Sequence, residues 1–517
     1  MEPVTLCETN ITTMKKYIAF IMLSFSFVLA TAQDTFIKSY NGNGEGYCAK
    51  ETMDGGIIGA GMGVNWDLYL WKTDTNGDTV WTRTYGGGNG TETGRDVVQK
   101  SNGGYFVVGT TSSFGAGNND IYAISTDMNG DLLWSKTFGG ADDDFGLSVV
   151  QTSDSGFLIA GYTFSFGAGN SDILLVRLNF SGDTLWTKTI GGASFEFTNE
   201  IQNTSDGGFI ISGSSNGFGV GQSDILLIKL NSNGAIVWSK TFGKYDNQFG
   251  GGVQQTADGG YILSGYMDAG NSRVLLLKTD SLGNQIWTKK YGNGTFSNAS
   301  RECSCVQVTP GGGYIFTTIL DVGNFFVIKT DGNGILQTRN GFAVGNANSI
   351  HPVNGGFVVC GTFELTPHKP VLVKVDTNGY SCFYSPWGGT TEIDTFIETT
   401  CTPVESYGCT VTSPATVRGA SGTVETVCST LGISEEASNN QLLVFPNPSN
   451  GYVTISFENV SRLTFIRVFN TLGEIVFEKE QVCIAKSEIA IQNLSPGIYY
   501  AQLIDGEKCA TANFIVR

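Results

Sequence analysis

Carboxylate side chains come together in one short run of this chain. Asp142, Asp143 and Asp144 are consecutive, and carboxylate oxygens are ligands that Ca²⁺ prefers in proteins. The composition is most typical of a solvent-exposed acidic loop, and because the run occurs once, Ca²⁺ binding is the next interpretation. Ca²⁺ is the one cofactor that the sequence brings into consideration, and otherwise we expect none.

Aromatic side chains recur in the neighbouring Gly-rich segments. Phe114, Phe166 and Phe218 are spaced 52 residues apart, and Phe195 and Tyr245 lie close to such segments in the sequence. Aromatic rings line many ligand pockets because they bury a large area. A residue that recurs with a structural repeat more often anchors its loop than binds a ligand. We predict a ligand-binding surface that uses these five aromatic residues and the three aspartates.

Composition argues against several chemistries and partners. The chain has two histidines, His351 and His368, so a His-rich zinc site or a His-based triad has little to draw on. A net charge of -17 repels nucleic-acid phosphates and anionic lipids. Paired carboxylates for glycoside hydrolysis stay open, because 47 acidic residues offer many pairs and no geometry. No catalytic residue and no metal ligand set is assigned.

Internal repetition defines the elements that must position these side chains. Five tryptophans recur about every 52 residues, each after a Gly-containing turn dipeptide: Trp81, Trp134, Trp186, Trp238 and Trp287. A second theme, as in VVQTSDSGFLIAG and GVQQTADGGYILSG, alternates with the first. Each theme occurs seven times and contains two strand-like runs around a turn. Each repeat therefore has four antiparallel strands.

Four strands per repeat predict a β-propeller. Runs such as residues 173–176 are apolar on both faces, so the sheets must be covered on both sides. Four-stranded sheets stacked face to face around an axis meet this requirement. We predict an all-β protein with a seven-bladed β-propeller over residues 33–390 and a small C-terminal β-sandwich. An open solenoid of stacked sheets is the alternative.

The repeats also predict ring closure and strand register. Residues 36–40 and 383–387 both match the Trp strand, so one of them completes a blade begun at the other end. Two-residue turns, with both residues at positive φ, would place a cation opposite an aromatic ring. The predicted pairs are Lys72–Trp81, Arg177–Trp186, Lys229–Trp238, Lys278–Trp287 and Lys374–Phe383. The tight hairpins then share one face, and the longer loops with the candidate binding residues share the other.

Residues 1–32 have the features of a signal peptide. Two lysines precede an apolar run at 17–30, and small residues predict cleavage between Ala32 and Gln33. Met14 is the expected start, because acidic residues precede it. No later stretch is apolar enough to predict a membrane-spanning helix.

Residues 391–439 are rich in Thr, Ser and Val and are predicted to connect two domains, with some strand content. Three sequence blocks then follow in residues 440–517: LLVFPNPSNGYVTISF, FIRVFNTLGEIVFEKE and IAIQNLSPGIYYAQLIDGEKCATANFIVR. These blocks resemble the type A C-terminal sorting domain of proteins exported by the Bacteroidota type IX secretion system. The matching residues are Val444, Pro446, Asn447, Pro448, Gly451, Asn470, Leu472, Gly473, Leu494, Gly497, Ile498 and Tyr499.

The resemblance implies a destination and a partner. It implies recognition by the type IX secretion machinery and delivery through the periplasm to the cell surface or the medium. The propeller region resembles repeat regions found beside such domains. We expect an exported monomer whose propeller binds a glycan or a protein without catalysis. The alternative is a secreted polysaccharide hydrolase or lyase.

Overall fold

A computed structural model describes residues 35–381 except 41–43, 89, 269–272, 292–304, 322–323, 343–344 and 364–366. Beyond these it describes Leu494 and the strands within 385–516. The predicted signal peptide, with its cleavage site at Ala32 and Gln33, lies outside the described residues. The chain divides into two compact units, with the boundary between Thr430 and Leu431.

Seven antiparallel sheets make up the first unit. The first strand of each sheet contacts the first strands of both neighbouring sheets, and these contacts close into a ring. The inner strands of blades 1 to 7 are β2 (Glu45–Glu51), β6 (Glu92–Gln99), β10 (Asp144–Gln151), β14 (Glu196–Asn203), β18 (Asn247–Gln255), β22 (Val306–Val308) and β26 (Asn346–Val353). The predicted seven-bladed β-propeller is confirmed.

Further strands follow outward in each blade. The second strands are β3 (Ile57–Met62), β7 (Tyr105–Thr111), β11 (Phe157–Thr163), β15 (Phe209–Ser215), β19 (Tyr261–Asp268), β23 (Tyr314–Asp321) and β27 (Gly356–Phe363). The third strands are β4 (Leu68–Thr73), β8 (Asp120–Thr126), β12 (Asp172–Leu178), β16 (Asp224–Leu230), β20 (Arg273–Thr279), β24 (Asn324–Thr330) and β28 (Lys369–Asp376). The fourth strands of blades 1 to 6 are β5 (Thr79–Gly86), β9 (Leu132–Gly139), β13 (Thr184–Gly191), β17 (Ile236–Gly243), β21 (Gln285–Tyr291) and β25 (Leu336–Phe342). A short 3-10 helix (Val64–Trp66) lies between β3 and β4.

The N-terminal strand closes the ring. β1 (Phe36–Tyr40) pairs with β28 as the fourth strand of blade 7, with Phe36 opposite Lys374. The predicted pair Lys374–Phe383 is therefore wrong, and Phe383 itself lies outside the described residues. β1 is buried along its whole length, which fits its place inside a blade.

A belt of short strands adds a fifth strand to every blade. It consists of β29 (Ser385–Pro386), β30 (Thr391–Asp394), β31 (Ile397–Thr400), β32 (Val404–Ser406), β33 (Thr410–Thr412), β34 (Thr416–Gly419) and β35 (Val424–Ser429). These strands join blades 6, 5, 4, 3, 2, 1 and 7 in turn, so the belt runs against the order of the blades. The belt covers part of each outer strand, whose unpaired backbone would otherwise template aggregation.

The hydrophobic core lies between the blades. Residues 173–176 of β12 are fully buried, and alternate side chains point to opposite faces of the sheet. Ile173 and Leu175 pack with side chains of blade 4, whereas Leu174 and Val176 pack with side chains of blade 2. Each blade is thus covered on both faces by its neighbours, as its apolar runs predict.

The turns at the Gly dipeptides differ from the prediction. In the β4–β5 hairpin, the Asp74 carboxylate accepts hydrogen bonds from the N–H groups of Asn76 and Asp78. Gly77 has a φ of +80°, whereas Asn76 is not among the residues with positive φ. The aspartate therefore stabilises a longer loop that ends in a bulge, instead of a two-residue turn.

The predicted register is nevertheless confirmed. The paired residues are Lys72–Trp81, Arg177–Trp186, Lys229–Trp238 and Lys278–Trp287. The cation that contacts the face of the Trp ring is not the residue opposite it. It is the residue two positions after the Trp on the same strand. The guanidinium carbon of Arg83 is 5.7 Å from the centre of the Trp81 ring.

In these four blades the cation opposite the Trp reaches the first hairpin of its own blade, whereas Trp134 lies opposite Ser125. Lys229 Nζ lies 2.9 Å from a carboxylate oxygen of Asp206, which also accepts a hydrogen bond from the Thr204 hydroxyl. Hydrogen bonds from Thr204 and Lys229 lower the pKa of Asp206 to about 2, although burial opposes the shift. Equivalent ion pairs join Lys72 to Asp54, Arg177 to Asp154 and Lys278 to Asp258.

Buried carboxyl groups anchor the long loops, both within a blade and between blades. Asp172 accepts a hydrogen bond from the Gly169 N–H, and Glu196 accepts one from the Gly192 N–H. A Cβ on Gly191 would lie 1.9 Å from Asp172 Oδ1 and 2.8 Å from Glu196 Oε2, so both carboxyls close on the same glycine. Burial raises the pKa of Asp172 and that of Glu196. Equivalent pairs are Asp67 with Glu92, Asp120 with Asp144 and Asp224 with Gln248.

The second unit contains two antiparallel sheets. One sheet consists of β36 (Leu443–Phe445), β37 (Tyr452–Ser456) and β40 (Lys486–Ala490). The other consists of β39 (Ile475–Val482), β38 (Leu463–Phe469), β41 (Gly497–Asp505) and β42 (Lys508–Val516). Two small sheets agree with the predicted β-sandwich. Seven residues of the sorting motif lie outside the described residues: Pro446, Asn447, Pro448, Gly451, Asn470, Leu472 and Gly473.

Candidate ligand-binding channel

The inner strands carry bulges at one shared level of the ring. Pairing between β2 and β3 skips Tyr47, and the same slip recurs at the matching place in other blades. The skipped residues are Tyr47, Arg95, Leu147, Asn199, Gly251 with Gly252, and Asn348. A bulge leaves its extra residue outside the ladder and re-aims the side chain. Five of these positions carry side chains that line one cavity.

That cavity is the central channel of the propeller. It has a volume of about 500 Å³, and every blade contributes wall residues to it. Besides the bulge residues, the wall includes Cys48, Asp96, Ser148, Glu200 and His351. Cys48 is a free thiol. The channel therefore gathers unlike polar groups from different repeats, as a binding or catalytic centre would.

An ion pair dominates the polar wall. Lys50 Nζ lies 2.6 Å from Asp96 Oδ1, and the other Asp96 oxygen accepts hydrogen bonds from Ser148 and the Val149 N–H. Burial would raise the pKa of Asp96, but the charge of Lys50 and these hydrogen bonds outweigh it and hold that pKa below its usual value. Burial and the charge of Lys50 lower the pKa of His351 to about 3, so its imidazole is neutral.

Glu200 is the second buried carboxyl of the channel. It accepts a hydrogen bond of 2.9 Å from the Val253 N–H and another from the Gln202 amide. Burial raises the pKa of Glu200 to about 7, against the opposing effect of these hydrogen bonds. Its carboxyl thus titrates near neutral pH.

Several channel side chains link adjacent inner strands. Asp96 accepts from the Val149 N–H, Ser148 from the Ile201 N–H, and Glu200 from the Val253 N–H. In each case the donor belongs to the next blade, 53 residues along the chain. These polar groups therefore join blades in addition to facing the cavity.

Partly exposed aromatic rings surround one end of the channel. We call Phe145, Tyr162, Phe197, Phe249 and Tyr266 the aromatic shelf. Tyr162 lies 4.9 Å from both Phe145 and Phe197, and Phe249 lies 4.8 Å from Tyr266, measured between ring centres. These residues stand at strand ends next to the long loops, in blades 3, 4 and 5. The shelf therefore belongs to the long-loop face.

The bulge residue of blade 2 is charged. Arg95 is exposed, and its guanidinium carbon lies 4.0 Å from the centre of the Tyr47 ring. At this distance the guanidinium makes a cation–π contact with the ring. Its charge also reaches the shelf, because it partly offsets the rise that burial causes in the pKa of Tyr162.

The predicted aspartates have three different environments. Asp142 is exposed, and Asp143 accepts a hydrogen bond of 2.8 Å from the Asn119 amide. Asp144 is 0% exposed and accepts hydrogen bonds from the Gly140 N–H and the Ser165 hydroxyl. The interpretation as a solvated loop therefore fails at Asp144, which occupies the anchoring position of Glu196. Within the described part of the chain, no three metal-ligating side chains form a cluster.

The predicted aromatic residues are dispersed over the long-loop face. Phe114 and Phe218 pack against the cores between blades, and Phe166 is half-buried beside Gly140. Tyr245 is 83% exposed and stands apart from the channel wall. Phe195 comes closest to the shelf, with its ring 6.2 Å from that of Phe197.

The channel residues were not predicted, because the predicted site relied mainly on residues that recur at the repeat spacing. Tyr47, Arg95, Leu147 and Asn199 occupy one repeat position, about 50 residues apart, yet share no chemistry. Variation at one position inside an otherwise regular repeat was the available signal.

Comparison with known proteins identifies the second unit. Residues 443–517 match the family described as the secretion system C-terminal sorting domain. The fold and this domain together define an exported β-propeller protein. It is a substrate of the type IX secretion machinery, bound for the cell surface or the extracellular space. No curated protein matches the chain. Among the described residues, no helix is long and apolar enough to cross a membrane.

Solved structures resemble the propeller only distantly. The Myceliophteria thermophila Cps50 (Swd1) β-propeller domain is 10% identical, with a TM-score of 0.39 over 66% of this chain and 100% of that chain. A protein of unknown function from Dyadobacter fermentans is 10% identical, with a TM-score of 0.37 over 66% of this chain and 98% of that chain. The Dos1 propeller is 11% identical, with a TM-score of 0.38 over 66% of this chain and 95% of that chain. The fold assignment rests on the sheet topology of this chain.

Proposed function

We propose that the propeller is a non-catalytic module that binds an extracellular glycan at the long-loop end of its central channel. The observation that carries the proposal is the aromatic shelf beside a polar cavity of about 500 Å³. A sugar ring packs its C–H face on aromatic rings, whereas its hydroxyl groups need hydrogen-bonding partners. The shelf and the channel wall supply these two kinds of surface side by side.

The environment of the channel carboxyls supports binding over catalysis. Asp96 is engaged by Lys50, Ser148 and the Val149 N–H, and Glu200 is engaged by the Val253 N–H. These contacts tie the carboxyls to the joints between blades. A hydrolytic pair would have to act on both sides of one glycosidic bond.

Binding of the exported full-length protein to an array of polysaccharides tests the proposal. Tyr162→Ala and Phe249→Ala should each weaken binding by up to about tenfold, because each removes one ring of the shelf. Phe180→Ala is the matched control, since Phe180 lies in a tight turn on the opposite face. Unchanged binding in both shelf variants, with the fold intact by circular dichroism, would refute the proposal.

A secreted polysaccharide hydrolase or lyase is the second candidate, and Glu200 favours it. A carboxyl with a pKa of about 7 suits general acid–base catalysis at neutral pH. Turnover of a polysaccharide by the wild-type protein, lost in Glu200→Gln, would establish this candidate. If the propeller only binds, the wild-type protein should show no turnover of the polysaccharides that it binds.

A further inference from the structure

We propose that the glycan is anionic and that Arg95 binds its carboxylate or sulfate group at the entrance to the channel. This inference rests on the proposed function and names the ligand class of the same site. Acidic sugars of both kinds share the chemistry that a guanidinium recognises, because each anion presents two oxygens that can accept a pair of N–H hydrogen bonds.

The first argument is the isolation of the Arg95 charge. Lys50, the cation that meets the channel residue Asp96, is paired with it at 2.6 Å. Among the described residues, Arg95 forms no ion pair, and its recorded contact is with the face of Tyr47. Arg95 is exposed, so N–H donors of its guanidinium remain available to a ligand beside this contact. An anion is the partner that these donors fit.

The second argument is that the bulge does not need an arginine. The same position holds Tyr47, Leu147, Asn199 and Asn348 in other blades, and none of these is charged. The backbone geometry is therefore compatible with aromatic, aliphatic and amide side chains. A cation at this one position, in a chain of net charge -17, calls for a reason outside the framework.

The third argument is the position of Arg95 relative to the shelf. Arg95 and Tyr162, a shelf residue of the next blade, line the same channel. A sugar packed on Tyr162 would thus present a substituent within reach of the guanidinium. One acidic residue of a glycan can be held by stacking and by an ion pair at once.

The test compares acidic and neutral glycans on the full-length protein. The probes are polygalacturonate for the carboxylate, dextran sulfate for the sulfate ester, and unmodified dextran as the neutral glycan. Titration calorimetry should show binding to at least one anionic probe, weakened at least tenfold by Arg95→Gln and partly restored by Arg95→Lys. Arg83→Gln is the matched control, because it removes the same charge from an arginine over Trp81 on an outer strand.

The outcomes separate this inference from the proposed function. If the neutral probe binds as tightly as both anionic probes, and its binding depends on Tyr162, the ligand is not specifically anionic. That result would overturn this inference and keep the proposal of glycan binding. Equal loss in Arg95→Gln and Arg83→Gln would reduce the effect to net charge and overturn the role of Arg95. Absence of binding to the whole polysaccharide array would overturn both proposals.

Discussion

Phe36 and Lys374 lie opposite each other in one blade although they come from opposite ends of the propeller sequence. The strand that contains Phe36 is made first and finds its partner only after the last blade is made. β1 also contacts its neighbour in space, since the Tyr40 hydroxyl donates a hydrogen bond of 2.8 Å to the Gly77 carbonyl in blade 1. Ring closure therefore depends on a contact between residues far apart in the chain.

Weakening the closing strand should weaken the whole ring. Ile37 is fully buried in β1, and Ile37→Ala should lower the free energy of unfolding by about 2–5 kcal/mol. Val80→Ala, on an exposed outer-strand position, should change it by less than about 0.5 kcal/mol. Urea denaturation followed by tryptophan fluorescence measures both. Equal effects of the two substitutions would contradict closure by β1.

The ion pair of Lys229 and Asp206 predicts a contribution to folding stability that is lost in acid. The pKa of Asp206 is lowered to about 2, so its contribution is present above the unfolded value near 4 and is lost as the pH falls through 2. Because the Asp206 side chain is 61% exposed, Asp206→Asn should cost no more than about 1 kcal/mol at pH 7. Thermal melts at pH 7 and pH 2 should differ less for this variant than for the wild type. Asp142→Asn, at an exposed position, serves as the control.

Regular and irregular features of this protein were not equally open to prediction. The number of blades and the Lys229–Trp238 register can be predicted from the repeated turns, because every repeat has the same turns between the same apolar strands. The choice of β1 as the closing strand does not, because residues 36–40 and 383–387 carry the same pattern. Belt strands such as β33 are short and polar, so their own sequence does not predict which blade each one joins. Arg95 was not predicted because the residue at its bulge position differs from blade to blade.

The buried acid pair of Asp172 and Glu196 predicts the opposite pH dependence. A carboxyl whose pKa is raised by burial binds its proton more tightly in the folded chain, so its contribution is full below about pH 4 and is lost as the pH rises through the folded value. Glu196→Gln should therefore raise the melting temperature at pH 8 and have a smaller effect at pH 5. Gln248 already occupies the equivalent position in blade 5, which shows that an amide fits there.

The control for this prediction is Asp246→Asn, at an exposed position in the next inter-blade loop. It should leave the difference between the two pH values unchanged. A melting temperature of Glu196→Gln that falls further at pH 8 than at pH 5 would show that the carboxylate, and not the protonated acid, is the stabilising form.

The belt predicts a position-dependent effect of proline. Val417 and Arg418 are neighbours in β34 and pair with Tyr85 and Thr84 of blade 1. Successive N–H groups of a strand point in opposite directions, so one of the two faces the blade. Of Val417→Pro and Arg418→Pro, one should increase proteolysis and aggregation because it removes a hydrogen bond to the blade edge. The other variant is its control. If both variants resist proteolysis and aggregation as the wild type does, the belt does not protect the edge.

The reversed course of the belt also has a mechanical consequence. Tension applied through residue 430, where the propeller continues into the sorting domain, would meet β35 before any other strand. The load would then pass to β34 and β33, and so to blades 7, 1 and 2 in succession. Each step would detach one short outer strand while the four strands beneath stayed closed. A surface protein pulled from this end would lengthen in small steps before any blade tears.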